Sequence, residues 1–476
     1  MPSEGLLSEH AGYLDSDIQV PPELVHSIAT EPQGVLLTGC TGFLGIFLLA
    51  ELLKKTTATI YVLVRAEDYM DGMRRVEQNA AQYGLSLALG RCVIVLGSLA
   101  KASLGIEPSI YKMLSHQVDA IWHCGARNDH VMSYAKLHAS NVYGTVEVLR
   151  FSVKCKLKPV NFISSIAVCL GASPETAELF TEASILPSAA QMLDPRLAGV
   201  GNLSGYAQSK WVADNLCLLA AARGLPVTIH RPARILGSTL TGACNPNDLH
   251  VRLAVGAVQL GSLPSGVGGV EYGAAVDHVA AAIVVLGLNA QTKGEYGSVF
   301  HVWERRPISA KAFCSVLAVD YGLNVIQHDA WLEELTRAAS SNALGPLIHE
   351  VSGAASVDFV PSFDNVATTS VCARLGCKMG PSLDYRHVRR QLTFLRSLGM
   401  LPPLNTPYGE LPRLRRLTGE LQRIPTEIYL KMQFGSGPNK VRQIIQKAGT
   451  SVQRAANRPK GRYKLRLRRV ERVPPR

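Results

Sequence analysis

A doubly wound α/β fold on a parallel sheet is predicted by three observations. Short apolar runs alternate with helix-length segments over the first 300 residues, the pattern of strand–helix–strand units. The first run, residues 35–37, enters a turn with glycines at 39, 42 and 45 and then an apolar helix from 43 to about 54. Further on, Tyr206 and Lys210 stand four residues apart, after a strand that closes on Ser164-Ser165.

The glycine turn comes first. Gly39 permits a tight bend, Gly42 lets backbone N–H groups approach a pyrophosphate, and Gly45 lets helix pack on strand. The phosphates would rest on the helix N-terminus, where unpaired N–H groups and the dipole favour negative charge. Strand and helix flank the turn as a dinucleotide site requires, so the fold expected is Rossmann-type. Residues 1–32 read as a lead-in with a short helix at 22–28.

The second strand, 59–64, ends at Arg65. An acid there would hold a ribose 2′-OH, whereas an arginine accommodates a 2′-phosphate, so Arg65 argues for NADP. The helix at 68–83 adds Arg74 and Arg75, as further phosphate ligands or a solvated face. Strand 91–96 leads into Gly97-Ser98-Leu99, and strand 120–123 into Cys124-Gly125-Ala126, a small-residue loop suited to the nicotinamide ribose. Asn141 lies on the first turn of a helix at 139–151. The fifth strand, 159–164, stops beside Ser165. The sixth, 226–230, is followed by Arg231, expected with Ser164 on the cofactor wall, and a further strand spans 299–302.

The predicted Rossmann domain covers 33–300, with substrate-side insertions near 171–201 and 240–270, a loop at 240–248 and a helix at 249–260. A smaller, mainly helical substrate subdomain follows at 301–401. Residues 402–476 form a basic tail. Its 411–476 segment holds 18 Lys/Arg and 3 Glu, net +15, against net −3 for the other 410 residues. Such a tail is a solvated extension, or docks on an acidic protein partner, a nucleic acid or a membrane surface; no RNA-reading aromatic motif accompanies it. No run of 18 apolar residues occurs, so no transmembrane segment is expected. The N-terminus has no basic secretory n-region. Ten cysteines without paired spacing read as reduced residues of a cytoplasmic protein, with no metal site.

The chemistry is read from Ser165, Tyr206 and Lys210. On a helix, Tyr206 and Lys210 share a face one turn apart. A neighbouring ammonium favours the phenolate and so lowers a tyrosine pKa. The pair could then exchange a proton with a substrate oxygen near neutral pH. Ser165, or else Ser164, at the crevice end of the fifth strand would hydrogen-bond the same oxygen.

With these residues in place, TGCTGFLG and GYAQSKWVAD resemble the extended short-chain dehydrogenase/reductase family. YLDSDI, YVLVRA, NVYGTVEVLR, RGLPVTIHRPARILG, TGACNPNDL and VGAVQLGSLP are similar to the thioester reductase domains of nonribosomal peptide and polyketide synthetases and carboxylic acid reductases, over roughly residues 12–400. The resemblance implies NADPH-dependent hydride transfer to an acyl or peptidyl thioester on a phosphopantetheinyl carrier protein, releasing an aldehyde or, after a second reduction, an alcohol. It implies that Thr41, Gly42, Phe43, Leu44, Arg65 and Arg75 bind the cofactor, and that the hydroxyl at 165 joins Tyr206 and Lys210. Four positions depart from the pattern. Ser98 stands where an acid is usual, Cys124 for Asn, Ala233 for Gly and Ser165 for Thr. The chain is expected to act in trans or inside a longer synthetase. The rival readings are a fatty acyl-CoA reductase, a sugar-nucleotide epimerase or dehydratase of the same superfamily, and a non-catalytic NADPH sensor; the sensor reading is disfavoured because Tyr206 and Lys210 are both present.

Overall fold

A computed structural model describes residues 2–404, apart from 26, 130–131, 171–178, 195–203, 266–269, 272, 305–307, 349–350, 352–362, 378 and 380–383. The basic tail beyond 404 therefore lies outside the described residues, as do parts of the two insertions.

The lead-in opens with helix α1 (Glu4–Gly12), capped by the Ser3 side chain on the Leu6 N–H. It is followed by β1 (Gly34–Thr38), α2 (Phe43–Lys55), β2 (Thr59–Val64), α3 (Tyr69–Gln82), β3 (Cys92–Leu96), α4 (Pro108–Gln117) and β4 (Ala120–His123). Next come α5 (Tyr134–His138), α6 (Gly144–Ser152), β5 (Val160–Ile163), the short α7 (Ala189–Met192), α8 (Gly205–Ala222), β6 (Val227–Pro232) and β7 (Arg234–Leu236). The chain continues through α9 (Leu249–Leu260), β8 (Ser262–Pro264), β9 (Val270–Glu271), β10 (Gly273–Ala275), α10 (Val276–Lys293) and β11 (Val299–Val302).

Seven strands form one sheet in the order β11-β6-β5-β4-β1-β2-β3, all parallel. Their residues are mostly buried because helices cover both faces, which is why they read as largely apolar runs. The order reverses between β1 and β4, and a crevice opens at such a point. α2 is apolar nearly all round, burying residues 44–49 and Leu52, because it is packed between the sheet and α10.

Some elements differ from the sequence reading. The lead-in is a packed structure: Leu7, Leu14 and Ile18 are fully buried, while the helix expected at 22–28 is a single 3-10 turn, Pro22–Leu24. Arg150 on α6 pairs with Asp15 and Asp17 of the lead-in, and Arg223 donates to the Leu14, Asp15 and Ile18 carbonyls. Between α5 and α6 the helix runs on through a π-turn, Ala139–Tyr143. α10 spans the most apolar stretch of the chain; buried around much of its surface, it shows no amphipathic period.

After β11 come α11 (Ala310–Tyr321), α12 (His328–Arg337) and the helices Val366–Arg374 and Tyr385–Ser397. A second core joins Val251, Ala254 and Ala257 of α9 to Phe313 and Leu317 of α11 and to Val388, Leu392 and Leu395 of the last helix. The helical subdomain thus draws α9 from upstream of residue 301. Residues 1–404 form one compact unit.

Candidate active site

A cleft of about 1310 Å3 follows the carboxyl ends of the strands from the β1–α2 turn to the N-terminus of α8. At its phosphate end, Gly39 has φ +82°, and a Cβ there would stand 2.7 Å from the Cα of Gly125. A Cβ on Gly45 would lie 2.0 Å from the Gly39 carbonyl oxygen. Both positions therefore exclude a side chain. Gly42 caps α2 without any side-chain hydrogen bond, so the first N–H groups face the cleft with Thr41, Phe43 and Leu44 around them. Asn79, which the sequence reading did not single out, braces the turn by donating to the carbonyls of Cys40 at 2.9 Å and Gly42 at 3.2 Å.

Arg65 lines the cleft beyond the tip of β2. Arg75 does not line it; its guanidinium donates to the Arg65 carbonyl, so its contact is with the backbone of the neighbouring arginine. Ser98, Leu99, Gly125 and Ala126 form the middle of the wall. The Gly125 N–H donates to the Thr38 hydroxyl at 2.9 Å, which pairs with His123 Nδ1 at 2.8 Å. Burial, with Lys210 nearby, pushes the His123 pKa down to about 3, so this ring is a neutral brace. Asn141 differs from expectation. It is buried in the π-turn, where it holds the Arg127 backbone through both its N–H, at 2.7 Å, and its carbonyl, at 3.1 Å, and donates to Ser209 at 3.0 Å. It fixes the loop at Arg127 from behind.

The end of the cleft that holds the candidate catalytic residues is built from β5 and α8. Ser204 caps α8, and Gly205 packs so tightly that a Cβ would meet the Met132 carbonyl oxygen at 2.4 Å. This seats Tyr206 and Lys210 on the opening turns of α8, in the same cleft as Ser165. The Ser165 hydroxyl lies close enough to the Tyr206 phenol to favour its ionised form. Burial nevertheless pushes the Tyr206 pKa up to about 12, with Cys124 adding to the rise. The expectation that Lys210 lowers it is thus not met: burial is the largest influence, and Lys210 is engaged elsewhere. Its Nζ donates to the Ile163 carbonyl at 2.7 Å and lies 4.2 Å from the Phe162 ring centroid. Burial pulls the Lys210 pKa down to about 8. The neutral phenol is a hydrogen donor across the neutral range, suited to an oxygen that gains negative charge.

Arg231 departs from the expected place on the wall. Arg231 is only 1% exposed and does not line the cleft. It grips Asp214, Nε to Oδ2 at 3.0 Å and Nη2 to Oδ1 at 2.8 Å. Ser164 reaches the cleft, but its hydroxyl donates to the same carboxylate at 2.5 Å. Asp214, one turn after Lys210 on α8, was legible only as an acid at i+4. Beyond the reacting end the cleft continues past Arg234, Asn245, Asn247 and Asp248, with Arg234 and Asp248 3.7 Å apart. Cys124 lines the cleft, and burial pushes its thiol pKa up to about 12. Among the described residues no cluster of three or more His, Cys, Asp or Glu could hold a metal ion, and no helix is long and apolar enough to cross a membrane.

Comparison with known proteins agrees with this fold. Residues 37–283 match the family described as Male sterility protein, an NAD-binding domain. The terminal R domain of the myxalamid PKS-NRPS biosynthetic pathway superposes with a TM-score of 0.74 at 33% identity, over 84% of this chain and 99% of that one. A linear gramicidin synthase of Brevibacillus parabrevis is 34% identical over 66% of this chain and 6% of its own length. L-2-aminoadipate reductase of Saccharomyces cerevisiae is 30% identical over 78% of this chain and 28% of its own. This chain therefore spans only a minor part of these curated relatives. UDP-glucuronic acid 4-epimerase of Bacillus cereus, at 16% identity and a TM-score of 0.53, shares the fold alone.

Proposed function

Because the chain belongs to the NAD-binding family described as Male sterility protein, within the extended short-chain dehydrogenase/reductases, we propose that it is an NADPH-dependent reductase that releases an acyl or peptidyl thioester from a carrier protein's phosphopantetheine arm as an aldehyde. The observation that carries this reading is the meeting, in one cleft, of an uncapped glycine turn, Arg65, and the trio Ser165, Tyr206 and Lys210.

The residues fit the cofactor. The open N-terminus of α2 suits a pyrophosphate, Arg65 a 2′-phosphate, and the small residues Gly125 and Ala126 a ribose. The reduced nicotinamide would supply a hydride to the thioester carbonyl carbon. As charge grows on the carbonyl oxygen, the Tyr206 hydroxyl and Ser165 donate hydrogen bonds to it. Lys210, held by the Ile163 carbonyl, keeps a positive charge beside the site below about pH 8. Collapse of the tetrahedral species breaks the C–S bond, the sulfur leaves as thiolate and takes a proton, and the carbonyl reforms as an aldehyde. A second reduction at the same place would give an alcohol, with Tyr206 giving the proton to the alkoxide.

The test is NADPH oxidation against acyl-pantetheine, acyl-CoA and acyl-carrier thioesters, with product analysis. Turnover on carrier or pantetheine thioesters yielding aldehyde or alcohol is expected. Oxidation by acyl-CoA alone moves the enzyme to the fatty acyl-CoA class, and none on any thioester defeats the proposal.

A further inference from the structure

Beneath the reacting residues lies a buried ion pair, Asp214 and Arg231, that does not line the cleft. Asp214 is fully buried, Arg231 is 1% exposed, and Ser164 and Lys210 are each 3% exposed. Two elements converge on the Asp214 carboxylate: β6 through the Arg231 fork, and the end of β5 through the Ser164 hydroxyl. Asp214 itself belongs to α8. A buried ion pair is weak evidence for stability, since desolvation consumes most of the attraction. Its place in the fold points to another use.

Each of the three reacting side chains is one short step from this unit. Ser165 follows Ser164. Lys210 precedes Asp214 by one turn and donates to the carbonyl of Ile163, the residue before Ser164. Tyr206 lies one turn before Lys210 and lines the same cleft as Ser165. The Ser164 N–H is itself tied at 2.7 Å to the carbonyl of His230, the neighbour of Arg231. The carboxylate thus bridges the tip of β5 and α8, the spacing across which Ser165 and Tyr206 must meet one oxygen with Lys210 beside them.

We propose that Asp214 and Arg231, with Ser164 as the link to β5, are positioning residues: their buried fork fixes β5 against α8 and so holds Ser165, Tyr206 and Lys210 at reacting distance. This rests on the reductase reading of the site. The unit also acts on charge. Lys210 faces Asp214 and Cys217 on its own helix, Cys124 and His123 at the end of β4, and Arg231 of β6 lies behind Asp214. Burial lowers the Lys210 pKa most, and among the groups that oppose it Asp214 is the carboxylate. Arg231 balances that carboxylate, so loss of Asp214 alone leaves Lys210 near an unopposed guanidinium.

The test compares wild type, Tyr206→Phe, Asp214→Asn, Ser164→Ala and the double variant Asp214→Leu/Arg231→Met in the full chain, with a thioester that the wild type reduces. Near-UV circular dichroism and thermal unfolding report folding. Asp214→Asn leaves a buried cation unpaired and is the variant most prone to misfold. The double variant removes both charges, an exchange that proteins often tolerate, and Ser164→Ala leaves the ion pair whole.

The expected result is a fall in kcat of about 10²-fold in the double variant, the cost of about 1 Å of misplacement, and a smaller fall in Ser164→Ala. KM for NADPH should stay near the wild-type value in both. In Asp214→Asn the alkaline limb of kcat/KM should move to lower pH, because Lys210 has lost its supporting carboxylate. A purely structural role would lower Tm and leave kcat and the limb of the folded fraction in place. That outcome in the double variant and Ser164→Ala overturns the inference, as does misfolding of the double variant together with wild-type kcat in Ser164→Ala. If Tyr206→Phe also keeps wild-type turnover, the reading of the site has failed; if Tyr206→Phe falls and the others do not, only this inference has.

Discussion

Removing the Tyr206 hydroxyl is the sharpest perturbation of the proposed chemistry. With a pKa near 12, the phenol is protonated throughout the working range, and Phe deletes a donor without deleting a charge. The ring and its packing at the start of α8 stay. The loss should therefore fall on the step in which the carbonyl oxygen becomes anionic. Removal of one oxyanion donor costs roughly 10²–10³ in kcat, about 2.7–4 kcal/mol. Ser165 remains as the second donor, so residual turnover above background is expected. NADPH affinity, measured by fluorescence titration, should change little. The pH profile adds a second check. Lys210, with a pKa near 8, should set an alkaline limb in kcat/KM that persists in Tyr206→Phe. Wild-type turnover on every thioester would refute the assignment of the donor, and a limb that vanishes with the hydroxyl would assign that limb to the phenol.

Arg65→Ala should weaken NADPH by about 10-fold or more, as loss of a charge-assisted phosphate contact costs roughly 1.5–3 kcal/mol, and leave NADH nearly unchanged; equal weakening in parallel titrations defeats the 2′-phosphate assignment. Gly39→Ala forces a side chain into the left-handed region, at about 1–2 kcal/mol, and against Gly125; a fall in Tm with loss of NADPH binding is expected, and an unchanged Tm would contradict the described turn. Lys158 is buried between the Lys154 and Lys156 carbonyls, and burial lowers its pKa from 10.5 to about 7. The folded state then binds fewer protons than the unfolded chain between those values, so stability rises with pH across that window and is least below it; Lys158→Met should flatten the rise of Tm between pH 7 and 10, and an identical slope would remove Lys158 as its source. Truncation after residue 402 should leave reduction of a small soluble thioester nearly intact, and loss of that activity in a folded product would place the tail within the active unit.

Much of this site was legible because its determinants are local. A glycine triplet between strand and helix, an arginine closing β2 and a Tyr–Lys pair at i, i+4 each state their geometry within a few residues. The seven parallel strands follow from apolar runs that burial on both faces requires. What escaped notice depends on long-range partners. Arg231 in sequence is a cation at the end of a strand; only the approach of α8 gives it Asp214 in place of a phosphate. Asn141 looks like a first-turn polar residue until the π-turn directs it at Arg127. Lys210 shows its spacing to Tyr206 in sequence, yet its ammonium is claimed by the Ile163 carbonyl, and the depth of burial that raises the phenol pKa is not written in any short segment. α1 is short and largely polar, so the chain hides that Leu7, Leu14 and Ile18 belong to the main core.

That last feature bears on where the molecule can be cut. Residues 4–18 come first in sequence, yet they pack against α6 and α8, which follow the strand reversal and carry the reacting half of the cleft. A gene trimmed to begin at β1 would look tidy on paper and still encode all seven main strands. It would also strip four buried apolar side chains, Leu7, Ala11, Leu14 and Ile18, from that half, leave Arg150 with Glu147 as its remaining carboxylate partner among the described residues, and take from Arg223 the carbonyls that engage it. Grafts that exchange the reacting half between relatives face the same accounting: the donor must bring its own first eighteen residues, or the two ends of the chimaera will come from different locks and keys.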